Sequence, residues 1–475
     1  MSESKGTVRL ARPLYSWIYF SRRVRARIGT PFLAGSHMGR MVARMLFYAT
    51  MPALSALNAG VGLLLPMLLA PVAFGHYALV VTLFQYGLVF DFGLSQLTDR
   101  LVPKMLAAGD ASALRRFRQG VLWTRLYIAV FLLVGGAVAA VAMHYRTSGF
   151  PAGAAWLSLA AGVGFMVVLG PGSFYRAASE RAAFGRINIA AMLILAIARP
   201  VGLVLGGITG VFAMLGVAYA VLAGWVQAGM PVVWSARPAP RAAFALIRQG
   251  LPLFLTSFVW AFYLTANRWV VSGLVAGSPA GDLELGHFAF GSNVVTLIIG
   301  AVGALAQFYY PRIVTRCASG GAYAVSSVIR RDFCLLGLTM GMITLVGMVA
   351  GPPLIGVLYP KFLASVPVVL LLMLAVPSLV VAAWLMPLSL STAERPWREG
   401  LVVYPTALLI QLAVTRAGYE LNGITGAALG LVASALPLLM LQLWVLHRAC
   451  LLRWRDAASI LAVCAAVTMV SSLLV

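Results

Sequence analysis

Long apolar runs recur along the whole chain, and they decide what it can fold into. They fall roughly at 42–65, 77–102, 121–143, 153–175, 187–206, 211–234, 251–275, 287–311, 333–351, 363–389, 401–415 and 424–447, with a last run at 456–475. Nearly all reach the 18 or so residues that mark a membrane-spanning helix, and 401–415 is the short one. In lipid every backbone N–H and C=O must find its partner inside the segment, which excludes open strands. The chain is 61% hydrophobic and 10% charged, against about 25% charged in a soluble domain. That leaves too little polar surface to cover a globule in water. The expected fold is an all-α polytopic membrane protein of 12–13 transmembrane helices.

The net charge of +23 comes from 35 Lys and Arg against 12 Asp and Glu. Most of the basic residues sit between apolar runs, where they set orientation, and no folded basic domain is left to bind nucleic acid. Loop charge alternates. The N-terminal segment 1–41 carries Arg22, Arg23, Arg25 and Arg27, and the second loop carries Arg100, Lys104, Arg115, Arg116 and Arg118. Later even-numbered loops are also basic, whereas the odd ones hold only Arg146, Lys361 and Arg416. By the positive-inside rule the N-terminus and the even loops face the cytoplasm. The odd loops are all short, which leaves no room for an external catalytic domain. The four cysteines, Cys317, Cys334, Cys450 and Cys464, show no paired spacing, so neither a disulfide framework nor a zinc site is indicated, and no cofactor is implied.

The two halves of the sequence repeat. Gly75-His76-Tyr77-Ala78 recurs as Gly286-His287-Phe288-Ala289, and Leu94-Ser95-Gln96 as Leu305-Ala306-Gln307, both at an offset of 211. Glu180-Arg181 recurs as Glu394-Arg395 at 214, and Gly207-Ile208-Thr209-Gly210 as Gly423-Ile424-Thr425-Gly426 at 216. Each match is weak alone. Four in the same order, with so small a drift, point to duplication. Six spans per half is an even number, so the repeat is parallel, with two bundles related by an axis along the membrane normal. The expected organisation is a basic segment 1–41, a bundle 42–234, a cytoplasmic linker 235–250, a bundle 251–447 and a C-terminal segment 448–475, with a central cavity between the bundles.

Several segments, in order, resemble the Wzx-type polysaccharide flippases of the MOP exporter superfamily. They are FDFGLSQLTDRLVPKM, FYRAASERAAFGRINI, LPLFLTSFVWAFYLTANRWVVSGLVAG, GHFAF, FYYPRIVTR and LYPKFLASVPVVLLLMLAVP. The resemblance covers about residues 42 to 447. It implies alternating access and movement of an undecaprenyl-pyrophosphate-linked oligosaccharide across a bacterial inner membrane, with no covalent chemistry. It also implies membrane lipids, a polysaccharide polymerase and a chain-length regulator as partners. The family commonly carries an acid before a basic residue in span seven. Here that pair is Asn267-Arg268. A lipid II flippase is the alternative within the superfamily. A MATE-like drug exporter would need more membrane acids, and an O-antigen polymerase or ligase a long external loop.

A charge at the centre of a span costs about 2.5–3.5 kcal/mol on insertion scales, so each one there needs a reason. The candidates are Arg125 in span three, Arg199 in span five, Arg268 in span seven and Asp91 in span two, with a net charge of +2. Arg199 precedes Pro200, which bends helices. Arg268 lies roughly 7 Å beyond the midpoint of its span. Guanidinium suits phosphate and carboxylate, which makes the three arginines candidate cavity cations. Asp91 is a candidate for proton or ion coupling, or an interhelical brace. Asn58, Gln96, Asn267, Asn293 and Gln307 are polar groups for sugar contacts or for bonding between helices.

Overall fold

The computed structural model describes residues 37–146, 152–178, 181–228, 240–276, 278–319, 323, 325–392 and 396–473, all helical or in short connections. The N-terminal half contains α1 (His37–Leu68), α2 (Pro71–Val89), α3 (Leu94–Ala107), α4 (Ala111–Arg146), α5 (Ala152–Ala177) and α6 (Arg181–Ala228). The C-terminal half contains α7 (Pro240–Tyr263), α8 (Ala266–Val275), α9 (Pro279–Ser319), α10 (Ser326–Leu358), a 3₁₀ turn (Pro360–Ser365), α11 (Val366–Met373), α12 (Val376–Thr392), α13 (Pro396–Arg448) and α14 (Trp454–Ser472). The basic segment 1–36 and residues 229–239 lie outside the described residues, and α7 begins inside the expected linker 235–250.

Among the described residues, nine helices are long and apolar enough to cross a membrane. Two of them, α6 and α13, each contain two spans. At Gly206-Gly207 and again at Asn422-Gly423 the backbone leaves helical geometry. Gly207 (φ 59, ψ −148) and Gly423 (φ 56, ψ −145) share a conformation essentially confined to glycine. Gly202 and Gly210 would lie about 12 Å apart along a straight helix. Instead, a Cβ on Gly202 would sit 2.6 Å from the Gly210 carbonyl oxygen, so the chain has reversed. Gly418 and Gly426 approach each other in the same way. The repeated GITG sequence is thus an elbow between two antiparallel helices, used once in each half. The bent pair 360–373 and 376–386 makes a further span, at 55°, and Ala53–Leu68 of α1 is a shorter apolar helix. Together these elements account for every apolar run in the sequence, including the last one as α14.

Spans two, seven and ten are interrupted, which hydropathy does not reveal. Span two breaks between α2 and α3 at Phe90–Gly93, span seven at Leu264-Thr265, and span ten at Leu374-Ala375. Within the N-terminal half, α5 is the hub, packing on α2, α3, α4 and α6. In the C-terminal half α12 packs on α9, α10 and α13, and α14 lies along α10. The halves meet where α1 and α2 contact α9, and where α2, α3 and α4 contact α7. Large apolar side chains cover the outside, among them Val204 (82% exposed), Val357 (78%) and Phe131 (71%). Apolar cover on this scale suits lipid and not water. The chain is a multi-pass membrane protein.

Candidate functional site

The intramembrane charges fall into two kinds. Arg125 of α4 is 1% exposed and donates to Asp91 Oδ2 at 3.2 Å and to Ser95 Oγ at 2.8 Å. Asp91 also accepts the backbone N–H groups of Gly93 (2.9 Å) and Ser95 (2.8 Å), which caps the exposed start of α3 at the break in span two. Every strong contact of this acid is therefore structural. Nearby, Arg176 of α5 makes a two-pronged contact with Asp99 of α3, at 3.1 and 2.6 Å. These pairs tie α3 to α4 and α5, and their charge cancels.

Arg199 and Arg268 are different. Neither has an acid within ion-pair distance among the described residues. Arg199, half-buried on α6, donates to Leu195 O at 2.8 Å and to Asn58 Oδ1 at 2.7 Å. Asn58 is held in turn by donating to Leu54 O and Met192 O. Arg268 of α8 is 1% exposed, and its guanidinium donates to Ser292 Oγ (2.9 Å) and Thr296 Oγ1 (3.0 Å), one turn apart on α9. Hydroxyls satisfy its hydrogens without neutralising its charge. Tyr77 of α2 is buried in the neighbourhood of both arginines. Tyr86, further along α2, bonds to Thr265 Oγ1 (2.7 Å) and Trp269 Nε1 (3.1 Å).

The polar candidates disperse. Asn58 supports Arg199. Asn267 turns its Oδ1 back onto the Arg268 N–H (2.9 Å), which closes the break in span seven, and its buried Nδ2 has no partner among the described residues. Gln96 donates to Ser257 Oγ across the halves (2.9 Å), and Asn293 reaches Gly62 O at 3.4 Å. The Gln307 side chain lies outside the described residues. Tyr77 and Tyr86 were not singled out from the sequence, although Tyr77 sits inside the repeated Gly-His motif. Three or more His, Cys, Asp or Glu side chains do not gather anywhere among the described residues in a way that would hold a metal.

No family model matches the chain, and no curated protein does. Solved structures do. The lipid II flippase MurJ, in an inward closed conformation, superposes with a TM-score of 0.65 over 90% of this chain and 92% of its own, at 11% identity. The chain has the fold of the MOP-superfamily transporters. The Vibrio cholerae MATE transporter VcmN matches with a TM-score of 0.59 at 15% identity, covering 86% of this chain and 98% of that one. An inward-facing multidrug resistance MATE transporter of the MOP superfamily matches at 0.56 and 14%, over 84% and 94%. At these identities the likeness speaks for the fold alone.

Proposed function

We propose that the chain is a flippase that carries an undecaprenyl-pyrophosphate-linked oligosaccharide from the inner to the outer leaflet of a bacterial inner membrane, by rocking two six-helix bundles about a central cavity. The carrying observation is the pair of intramembrane cations, half-buried Arg199 and fully buried Arg268, one in each half and neither matched by an acid among the described residues. An anionic pyrophosphate supplies the missing charge, and guanidinium is the side chain best shaped to take it. Arg125 then belongs to the brace with Asp91, outside the binding set. A MATE-like exporter of organic cations needs free buried carboxylates. The buried acids among the described residues are Asp91 and Asp456, each paired with an arginine.

In this reading the basic N-terminus faces the cytoplasm, the Gly75 end of α2 faces outward, and polymerase and chain-length regulator act on the delivered cargo. Lipid II is the second cargo to test, because the fold superposes well on MurJ. Arg199→Ala is expected to abolish surface polysaccharide while the protein stays in the membrane. Normal polymer at a normal protein level would remove Arg199 from the site. Rescue of a strain lacking its lipid II flippase, without rescue of one lacking its polysaccharide flippase, would replace the first cargo with the second.

A further inference from the structure

The two halves touch backbone to backbone at two places, and glycines form both. At one end of α2, a Cβ on Gly75 would lie 3.0 Å from the Gly286 nitrogen and 3.2 Å from its Cα, and a Cβ on Gly286 would collide with the Pro71 carbonyl oxygen. These are the glycines of the repeated Gly-His motif, so the two copies of the repeat meet each other. Aromatic rings close around them: Phe362 lies 5.6 Å from Phe74 and 4.7 Å from Phe290. Tyr359 also donates across the halves to Leu63 O at 2.9 Å.

The second contact lies in the break just past the far end of α2, whose helix runs about 21 Å from Gly75 to Val89. There a Cβ on Gly250 of α7 would collide with the Phe92 carbonyl oxygen, and one on Gly93 with the Gly250 oxygen. Again aromatic rings surround it, with Phe92–Phe254 and Phe90–Phe258 both at 4.9 Å, and Gln96 bonds across to Ser257. Tyr77 and Tyr86 lie on α2 between the two contacts, and both arginines are in the neighbourhood of Tyr77.

We propose that these two glycine contacts are the gates of the transport cycle: each closes one end of the path past the arginines, and the absence of a side chain there sets how readily that end shuts. This inference rests on the reading that the halves move against each other. A methyl group at Gly286 must push the Pro71 end away, and it should hold the outer end open. A methyl at Gly250 should hold the inner end open. Overpacking by one methyl in a close contact shifts a two-state ratio by roughly 5- to 150-fold. Gly75→Ala meets softer contacts and should shift the outer end in the same direction by less.

Two pairs of spin labels read the two ends in full-length protein with its native cysteines replaced by serine, reconstituted in nanodiscs. Leu68→Cys with Leu283→Cys reports the outer end, and Leu106→Cys with Phe244→Cys the inner end, since all four side chains are exposed and each pair spans the halves. Gly286→Ala should lengthen the outer distance and leave the inner one short, and Gly250→Ala should do the reverse. Gly60→Ala, where an added Cβ has no neighbour within 4 Å, should change neither. If Gly286→Ala does not yield folded protein, Gly75→Ala decides the outer gate. Unchanged distances in folded variants, or both variants opening the same end, would overturn the gates. A failure of the flippase reading looks different: the distances respond as stated while Arg199→Ala still makes normal polymer.

Discussion

In the N-terminal half the fully buried arginine is compensated, since Arg125 has Asp91, while half-buried Arg199 of the same half has no acid within ion-pair distance among the described residues. In the C-terminal half Arg268 is as deeply buried as Arg125, yet among the described residues its guanidinium meets the hydroxyls of Ser292 and Thr296 and no acid. The same elbow nevertheless recurs in both halves, at Gly207 and Gly423. A compensated buried arginine holds helices together, whereas an uncompensated one keeps its field available for a ligand. That field is costly to maintain in a low-dielectric interior, so its survival points to use.

The contrast can be broken most sharply at Arg125. Arg125→Met strands the Asp91 carboxylate and should cost about 3–5 kcal/mol. The expected readout is a large drop in thermal stability in detergent, part of which Asp91→Asn restores. The elbows come next. Gly207→Ala and Gly423→Ala force a side chain into a glycine conformation and should each cost about 1–3 kcal/mol. Similar losses would sharpen the claim of a shared backbone, and a loss in one alone would break it. Arg268→Met should change stability by no more than about 1 kcal/mol, because no buried acid is left behind and Thr296 already donates to Ser292 O at 2.7 Å. A loss as large as that of Arg125→Met would erase the difference between the two buried arginines.

The smallest effect is at Asp110, at the aqueous start of α4. The backbone N–H of Ala113, followed by the Ser112 hydroxyl, holds its carboxyl below the usual aspartate range. A lowered folded value means that the cap stabilises above the unfolded aspartate range and is lost as pH falls through the folded value. Wild type should therefore melt slightly higher than Asp110→Ala at neutral pH. The gap should close in acid, below the ordinary aspartate value, as followed by melting curves across that range.

Much of the fold was legible because lipid imposes long apolar segments and loop charge marks their ends. The repeat was legible because its turn residues are constrained: GITG recurs unchanged where the same glycine conformation recurs. The breaks in spans two, seven and ten were not, since a helix can stop at Phe90 or Leu264 without any change in hydropathy. The arginines were found as rare charges. Their division into brace and free cation was hidden, because Asp91 and Arg125 are 34 residues apart and no local pattern links them. Asn267, which stands where the resembling family carries an acid, belongs with the uncompensated charge of Arg268. Tyr77 was missed as one tyrosine among 16, although its place in the repeat was a usable signal.

The central claim is that Arg199 and Arg268 together form an anion site. The most direct measurement is equilibrium binding of undecaprenyl pyrophosphate to purified protein in nanodiscs, comparing wild type with Arg199→Met, Arg268→Met and the double variant Asp91→Asn with Arg125→Met. The account predicts that each of the two single variants weakens binding by at least about tenfold, the scale of one charge-assisted hydrogen bond, while the double variant binds as wild type does. Wild-type affinity in both single variants, or its loss only in the double variant, would contradict it.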